Sequence, residues 1–126
     1  MNALEIARAK KLYDQGSARK LYNYIKKYLD RHDPYAPYFY STISLTEWNE
    51  SYEQGESRRV KLLIESADAG VPEAAYQLAC CYLSGGDGVE RNWNTALKYI
   101  KQAMEKNYEP ALATYAVLRE NPSNFD

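Results

Sequence analysis

The sequence predicts an all-α fold, an α/α superhelix (solenoid) of about seven helices in about three to three-and-a-half helix-turn-helix units. Pro34, Pro72 and Pro110 lie at equal intervals along the chain, and each precedes an Ala-rich or aromatic run. In the stretches between them, apolar residues recur at i, i+3, i+4 and i+7, the spacing of one helix face. A repeat period of about 20 to 50 residues is typical of stacked arrays, so we expect a single domain built by repetition.

Each of these prolines is interpreted as a helix start. Proline has a preset φ and no N–H, so it fits the first helical turn, where backbone N–H groups have no partner within the helix. The Asp33 carboxylate can also cap the helix that follows it, and Glu109 places favourable charge near a helix N-terminus. Three helices are therefore predicted to begin at about Pro34, Pro72 and Pro110.

A second helix is predicted in each unit, with one apolar face. Its apolar positions are Leu21, Tyr24, Ile25 and Tyr28 in the first unit, Val60, Leu63, Ile64 and Ala67 in the second, and Ala96, Tyr99, Ile100 and Ala103 in the third. Ser17, Ser57 and Asn92 stand where a side-chain oxygen could cap these helices. The repeating unit is therefore helix, loop, helix.

The whole chain is interpreted as one repeat domain with a cap at its C-terminal end. Pro122 is interpreted as the end of the capping helix, with no partner helix after it. The predicted parts are a degenerate unit 1 over about 3–33, unit 2 over about 34–70, unit 3 over about 71–107, and the capping helix over about 110–120.

Unit 3 carries a recognisable order of residues. It contains Ala74, Leu78-Ala79, Tyr82, Gly85 and Gly88-Val89, followed by Asn92, Trp93, Ala96, Tyr99, Ala103-Met104 and Asn107. This order resembles the Sel-one-like repeat, a relative of the tetratricopeptide repeat. Gly85 and Gly88 stand one residue further apart than in that family, and Asn107 replaces a helix-ending Gly whose left-handed conformation Asn tolerates.

The resemblance implies a concave surface, lined by the first helix of each unit, that binds a partner. Tyrosine offers a large contact area at a low cost in entropy, which makes it frequent among interface hot spots. The alternative is that the tyrosine rings fill space between helices. The positions carried over to the concave face are Lys11, Tyr35, Tyr38, Thr42, Glu73, Tyr76 and Cys80.

A second candidate contact site is the acidic segment 46–56, which replaces a short glycine loop of the family. Trp48 and Tyr52 are four residues apart, so one extra helical turn would present both rings to a basic partner. The alternative is that the segment packs over the second helix pair. The candidate residues are Glu47, Trp48, Glu50, Tyr52 and Glu53.

Charge is distributed unevenly along the chain. Residues 1–31 hold eight Lys or Arg against three acids, whereas 32–126 hold eight against fourteen. The basic residues are interpreted either as solvated helix faces or as a surface that steers a partner. RNA binding through Lys26 and Lys27, with Tyr22, Tyr24 and Tyr28 interleaved, is the alternative function, although the overall pI near 5.9 lacks the usual basic footprint.

The sequence contains no arrangement typical of an enzyme. Cys80 and Cys81 are adjacent on a predicted helix and have no other cysteine to pair with, and the single histidine, His32, lies far from them. The glycines of 85–88 lack the Lys-Ser/Thr of a phosphate loop and are interpreted as a turn. We therefore expect no catalytic residues, no metal site and no cofactor.

The chain has no run of 18 apolar residues and no apolar signal-peptide core, so a cytoplasmic location without membrane contact is expected. The predicted function is protein–protein interaction, by a small free-standing bacterial adaptor or inhibitor that is a monomer or weak homodimer. By analogy within the family, an immunity protein that neutralises a toxin or effector is the specific hypothesis. Another protein is the expected partner.

Overall fold

The computed structural model describes residues 1–120, and these form seven α-helices and one short 3-10 helix. No β-strand occurs in this range, so the predicted all-α class is confirmed. The α-helices are α1 (Ala3–Asp14), α2 (Ala18–Asp30), α3 (Tyr35–Ser41), α4 (Tyr52–Asp68), α5 (Pro72–Ser84), α6 (Trp93–Met104) and α7 (Glu109–Glu120), and the 3-10 helix is Thr46–Trp48. Pro122 lies outside the described residues.

Each helix makes its main contacts with the helix before it and the helix after it, and α5 with α6 is the most extensive pair. The buried side chains form two clusters. One is built on α1, α2 and α3, and the other on α4 to α7. Tyr35 and Tyr38 of α3 pack against both clusters and so connect the two halves of the core.

The three prolines lie at helix starts, but not at one fixed position. Pro34 is the residue just before α3, Pro72 is the first residue of α5, and Pro110 is the second residue of α7. All three positions fall within the stretch where helix N–H groups have no helical acceptor, so the missing proline N–H costs nothing. The Asp33 Oδ1 accepts a hydrogen bond from the Tyr35 N–H at 2.9 Å, as its capping role requires.

The predicted start at Ser57 is wrong, because α4 begins five residues earlier, at Tyr52. Ser51 Oγ accepts from the Gln54 N–H at 3.1 Å, and Gln54 Oε1 accepts from the Ser51 N–H at 2.9 Å, which is a complete capping box. Gly55 therefore lies inside the helix. Asn92 caps α6 as expected, with Oδ1 accepting from the Thr95 N–H at 3.0 Å.

All six connections between the α-helices of residues 1–120 contain at least one residue with positive φ. His32, Gly70 and Asn107 follow α2, α4 and α6, with φ of 55°, 98° and 57°. A left-handed residue lets the chain turn directly from one helix into the next, and Asn and Gly adopt this conformation most readily. The left-handed conformation predicted at Asn107 is confirmed.

None of the helices within residues 1–120 has the length and apolar character needed to cross a lipid bilayer.

Candidate partner-binding groove

Four helices enclose a cleft of about 400 Å³. Its walls come from α1, from the end of α3 and the chain just after it, from α4 and from α5. Most of the side chains that reach it are polar, and Tyr13 is 55% exposed. The lining includes Lys10, Tyr13, Tyr38, Thr42, Arg59, Gln77 and Asp87. A surface of tyrosines, hydroxyls and paired charges can make hydrogen bonds and aromatic contacts to a protein segment.

Glu73 lies beside this cleft as a nearly buried carboxylate, 7% exposed. Tyr35 donates its hydroxyl to Glu73 Oε1 at 2.9 Å, and Lys10 Nζ lies 3.2 Å from Oε2. A buried charge is tolerated only when it is paired and hydrogen-bonded, and these two groups meet that requirement from two different helices. The contact from Lys10 also joins α1 to α5.

The phenols around Glu73 are held in the neutral form. Burial, followed by the nearby Glu73 carboxylate, raises the pKa of Tyr38 to about 12. The same two causes, in the same order, raise the pKa values of Tyr35 and Tyr108. The rings of Tyr35 and Tyr38 meet edge to face with centroids 6.5 Å apart. The Tyr35 hydroxyl therefore remains a hydrogen-bond donor to Glu73 across the physiological pH range.

Tyr76 extends the aromatic surface toward α7. Its hydroxyl forms a hydrogen bond with Thr114 Oγ1 at 2.9 Å, and its ring lies 5.7 Å from that of Tyr108. Cys80, one turn further along α5, is half-buried, and burial raises the pKa of its thiol. The Cys80 sulfur is therefore protonated at neutral pH and is a weak nucleophile.

Two of the residues predicted for the concave face, Tyr38 and Thr42, line the cleft itself. Tyr35, Glu73 and Tyr76 belong to the network beside it. Lys11 is exposed, but the lysine that reaches Glu73 is its neighbour Lys10. On a helix, neighbouring residues point about 100° apart, so Lys10 and Lys11 lie on different faces of α1.

Arg59 and Asp87 close the cleft on its other side. Arg59 donates from Nε at 3.1 Å and from Nη2 at 2.7 Å to the same Asp87 oxygen. Asp87 Oδ2 also lies 3.5 Å from the Cys81 sulfur, and burial, followed by Asp87, raises the pKa of that thiol to about 12. The predicted turn at 85–88 is confirmed, and the Arg59 contact anchors it to α4.

The prediction that Trp48 and Tyr52 are presented together is wrong. Trp48 is half-buried between the rings of Tyr22 and Tyr40, with centroids at 5.5 and 5.6 Å, and the Arg58 guanidinium lies 4.9 Å from its ring. Tyr52 instead starts α4 and is 78% exposed. The alternative, packing over the second helix pair, describes Trp48 in part: its ring contacts Tyr40 of α3 and Arg58 of α4, but also Tyr22 of α2. The indole has a large apolar area to bury.

Carboxylates of the acidic segment are already paired within the protein. Glu47 forms an ion pair with Arg19, and Glu50 accepts from Arg58 Nε at 2.7 Å. Glu53 is exposed in the first turn of α4. This pairing leaves much less uncompensated negative charge than the sequence alone indicates.

The basic N-terminal surface uses its tyrosines internally. Tyr28 is 4% exposed and donates its hydroxyl to Glu5. The Lys27 ammonium lies 5.0 Å from the Tyr28 ring centroid and 5.8 Å from that of Tyr24, and Lys26 lies 4.9 Å from the Tyr22 centroid. Stacking of RNA bases needs open ring faces, and these rings are covered by neighbouring cations or buried.

The sequence pattern did not identify Lys10, Tyr13 or Arg59 as residues that line the cleft, or Tyr108 as a neighbour of Tyr76. Tyr108 directly follows the left-handed Asn107, where the chain approaches the start of α7, and only the geometry of that turn brings its ring to Tyr76. Tyr13, near the end of α1, is exposed and open to the cleft. Arg59 gives no local signal, because its partner Asp87 lies in a distant turn.

Within residues 1–120, no group of three or more His, Cys, Asp or Glu side chains is arranged to hold a metal ion. Comparison of the chain with protein-family models, with curated proteins and with solved structures gave no match.

Proposed function

We propose that this protein is a small protein-binding module whose partner lies in the cleft between α1, α3, α4 and α5. The observation that carries the proposal is the cleft itself, with tyrosine, threonine and glutamine side chains from several helices around about 400 Å³. Tyr13 and Tyr38 contribute rigid rings with hydrogen-bonding tips, the side-chain type most often found at interface hot spots. Rigid helices hold these rings in place before a partner arrives, which lowers the entropy lost on binding.

The proposal includes a repeat superhelix of the Sel-one-like kind. Support comes from the succession of helix contacts along the chain and from the repeated left-handed connections. It also comes from two hydrogen bonds between side chains 38 positions apart, Tyr35 with Glu73 and Tyr76 with Thr114. That interval equals the spacing of the three prolines, so neighbouring units contact each other through positions that correspond in the repeat.

Within this proposal, the resemblance extends the role to that of a bacterial adaptor or inhibitor of another protein. An immunity protein that neutralises a toxin or effector is its specific form. The cleft supports the binding step alone, and the identity of the bound protein distinguishes these roles.

Affinity capture from a lysate of the source organism tests the proposal, with nuclease-treated and untreated samples compared by mass spectrometry and nucleic-acid staining. Tyr13→Ala and Thr42→Arg change exposed residues of the cleft, and Asn94→Arg changes an exposed residue on α6 as a matched control. We expect one stoichiometric protein that survives nuclease, that is retained by the control and that is lost with both cleft variants. Equal retention of the captured protein by all three variants would refute the assignment of the cleft as the binding site. Recovery of RNA alone would refute the protein-binding function.

A further inference from the structure

We infer that Glu73 is the subsite for a lysine or arginine side chain of the partner protein, and that Lys10 occupies this subsite in the free protein. The inference rests on the proposed protein-binding function of the cleft, and it specifies which chemical group the partner brings. Three features carry it: a nearly buried carboxylate, a half-exposed cation that neutralises it, and tyrosines that line the approach.

The Glu73 side chain is 8% exposed, so its charge has lost nearly all contact with bulk water. Tyr35 satisfies Oε1 with a neutral hydrogen bond at 2.9 Å, which leaves the negative charge to be balanced at Oε2. A carboxylate in this setting attracts a cation far more strongly than a carboxylate on the open surface does. Oε2 is therefore the atom at which a cation is bound.

Lys10 holds that position from the side of the cleft. Its side chain is 51% exposed, its nitrogen lies 3.2 Å from Oε2, and it lines the cleft. A long side chain held in one geometry loses rotamer entropy, which offsets much of the energy of a half-exposed ion pair. Exchange of Lys10 for a partner's cation preserves the pairing of Glu73 and returns the Lys10 ammonium to water.

The surroundings suit the stem of a long basic side chain. Tyr38 lines the cleft and its ring meets that of Tyr35, so an incoming lysine or arginine can lie along the Tyr38 ring with its charge at Glu73. The charged side chains that line the cleft are Lys10, Arg59 and Asp87. Arg59 is paired with Asp87, so Glu73 is the carboxylate that needs a cation once Lys10 moves away. A partner that is basic at this point is therefore complementary, and an acidic side chain would be repelled.

The test is an NMR titration of the full-length, 15N-labelled protein with the peptide acetyl-Gly-Lys-Gly-amide. Acetyl-Gly-Glu-Gly-amide is the matched control ligand. The variants are Lys10→Met, which keeps the stem and removes the charge, Glu73→Gln, which keeps the shape and neutralises the acceptor, and Lys101→Met as the control for loss of an exposed lysine on α6. Dispersion of the amide spectrum of each variant reports whether its fold is intact.

We expect the lysine peptide to shift resonances around Tyr38 and Glu73, and to bind Lys10→Met roughly fivefold more tightly than wild type because the internal competitor is gone. Glu73→Gln should bind at least about tenfold more weakly than wild type, and Lys101→Met should match wild type. Loss of the fold would lower the affinity for the lysine peptide and not raise it. The affinity of Lys10→Met therefore tests the subsite even if Glu73→Gln is unstable. Equal affinity of wild type and Lys10→Met, equal binding of the two peptides, or no binding of the lysine peptide to Lys10→Met would each refute the subsite. If a partner protein is nevertheless captured through the cleft, the proposed protein-binding function stands without the Glu73 subsite.

Discussion

The hydrogen bond from Tyr35 to Glu73 is the clearest case of one residue determining the properties of the groove. The carboxylate is buried, so the hydroxyl replaces a water molecule that Glu73 would otherwise bind. Because Tyr35 also packs against both clusters of the core, the same side chain positions the groove and connects the two halves of the protein. Binding surface and core are therefore joined at this residue.

Replacement of Tyr35 by Phe removes the hydroxyl and keeps the ring. We expect the free energy of unfolding to fall by about 1 to 3 kcal/mol, because a buried carboxylate oxygen loses its donor. Chemical denaturation followed by circular dichroism measures the change. Tyr52→Phe is the matched control, since Tyr52 is 78% exposed, and it should alter stability by less than about 0.5 kcal/mol. Equal stability of the two variants would show that the Tyr35 hydroxyl contributes nothing.

At this scale the sequence was informative about helix faces and less so about contacts. The apolar spacing i, i+3, i+4 and i+7 correctly assigned one face of α6 to the core, where Ala96, Tyr99, Ile100 and Ala103 are all buried. The pairing of Glu73 with Lys10 depends on where α1 lies relative to α5, and no local pattern encodes that distance. A residue can therefore be assigned to a surface from sequence while its partner is found only from the tertiary structure.

Among the helices, α4 differs most from its predicted form. The sequence predicts its start at Ser57, where a side-chain oxygen follows Gly55 and could cap a helix. The Ser51–Gln54 capping box satisfies the first N–H groups earlier, and Gly55 is then carried inside the helix, beside Arg59 and Glu50. The capping box of Ser51 and Gln54, which are three residues apart, therefore determines where α4 begins, and Gly55 does not interrupt the helix.

Ser51→Ala removes the capping oxygen of α4 and should lower the free energy of unfolding by about 1 kcal/mol. Ser57→Ala changes an exposed residue within the same helix and should leave it within about 0.5 kcal/mol of wild type, since alanine favours helix. Urea unfolding of the two variants side by side provides the comparison. If Ser57→Ala proved the more damaging, α4 would begin where the repeat pattern places it, and the capping box would be the wrong assignment.

For the whole molecule, the order of packing follows the order of the chain. The central helix α5 lies between α4 and α6, whereas α7 at one end has α6 as its main neighbour. Contacts between helices that follow each other in the sequence cost little loop-closure entropy, and this low cost favours rapid folding. Stability should therefore be highest near α5 and lowest toward the end of α7.

Leu78→Ala in α5 should lower the free energy of unfolding by about 2 to 5 kcal/mol, because it opens a cavity where the side chain is fully buried. Leu112→Ala on α7 removes a side chain that is 41% exposed and should cost far less. Denaturant unfolding gives both values, and native-state hydrogen exchange should show α5 amides protected more than those of α7. Comparable losses for the two leucines would contradict this gradient.

The all-α class and the helix starts at the prolines were predictable, because proline chemistry and apolar spacing act over a few residues. The division of the core into two clusters was not, since it depends on the short α3 and on the segment that carries Trp48. The rings of Tyr22, Tyr40 and Trp48 pack against one another although they belong to α2, α3 and the 3-10 helix. Their pairing reflects the path of the chain more than any local motif.

The chain contains two tryptophans, and each core cluster has one beside it: Trp48 packs against the cluster on α1 to α3, and Trp93 against the cluster on α4 to α7. The two halves therefore carry separate intrinsic fluorophores. In Trp93→Phe the emission reports the N-terminal half, and in Trp48→Phe it reports the C-terminal half. A single shared melting curve would mean that Tyr35 and Tyr38 couple both halves into one cooperative unit, whereas two distinct curves would reveal a partly unfolded species in which one half has melted.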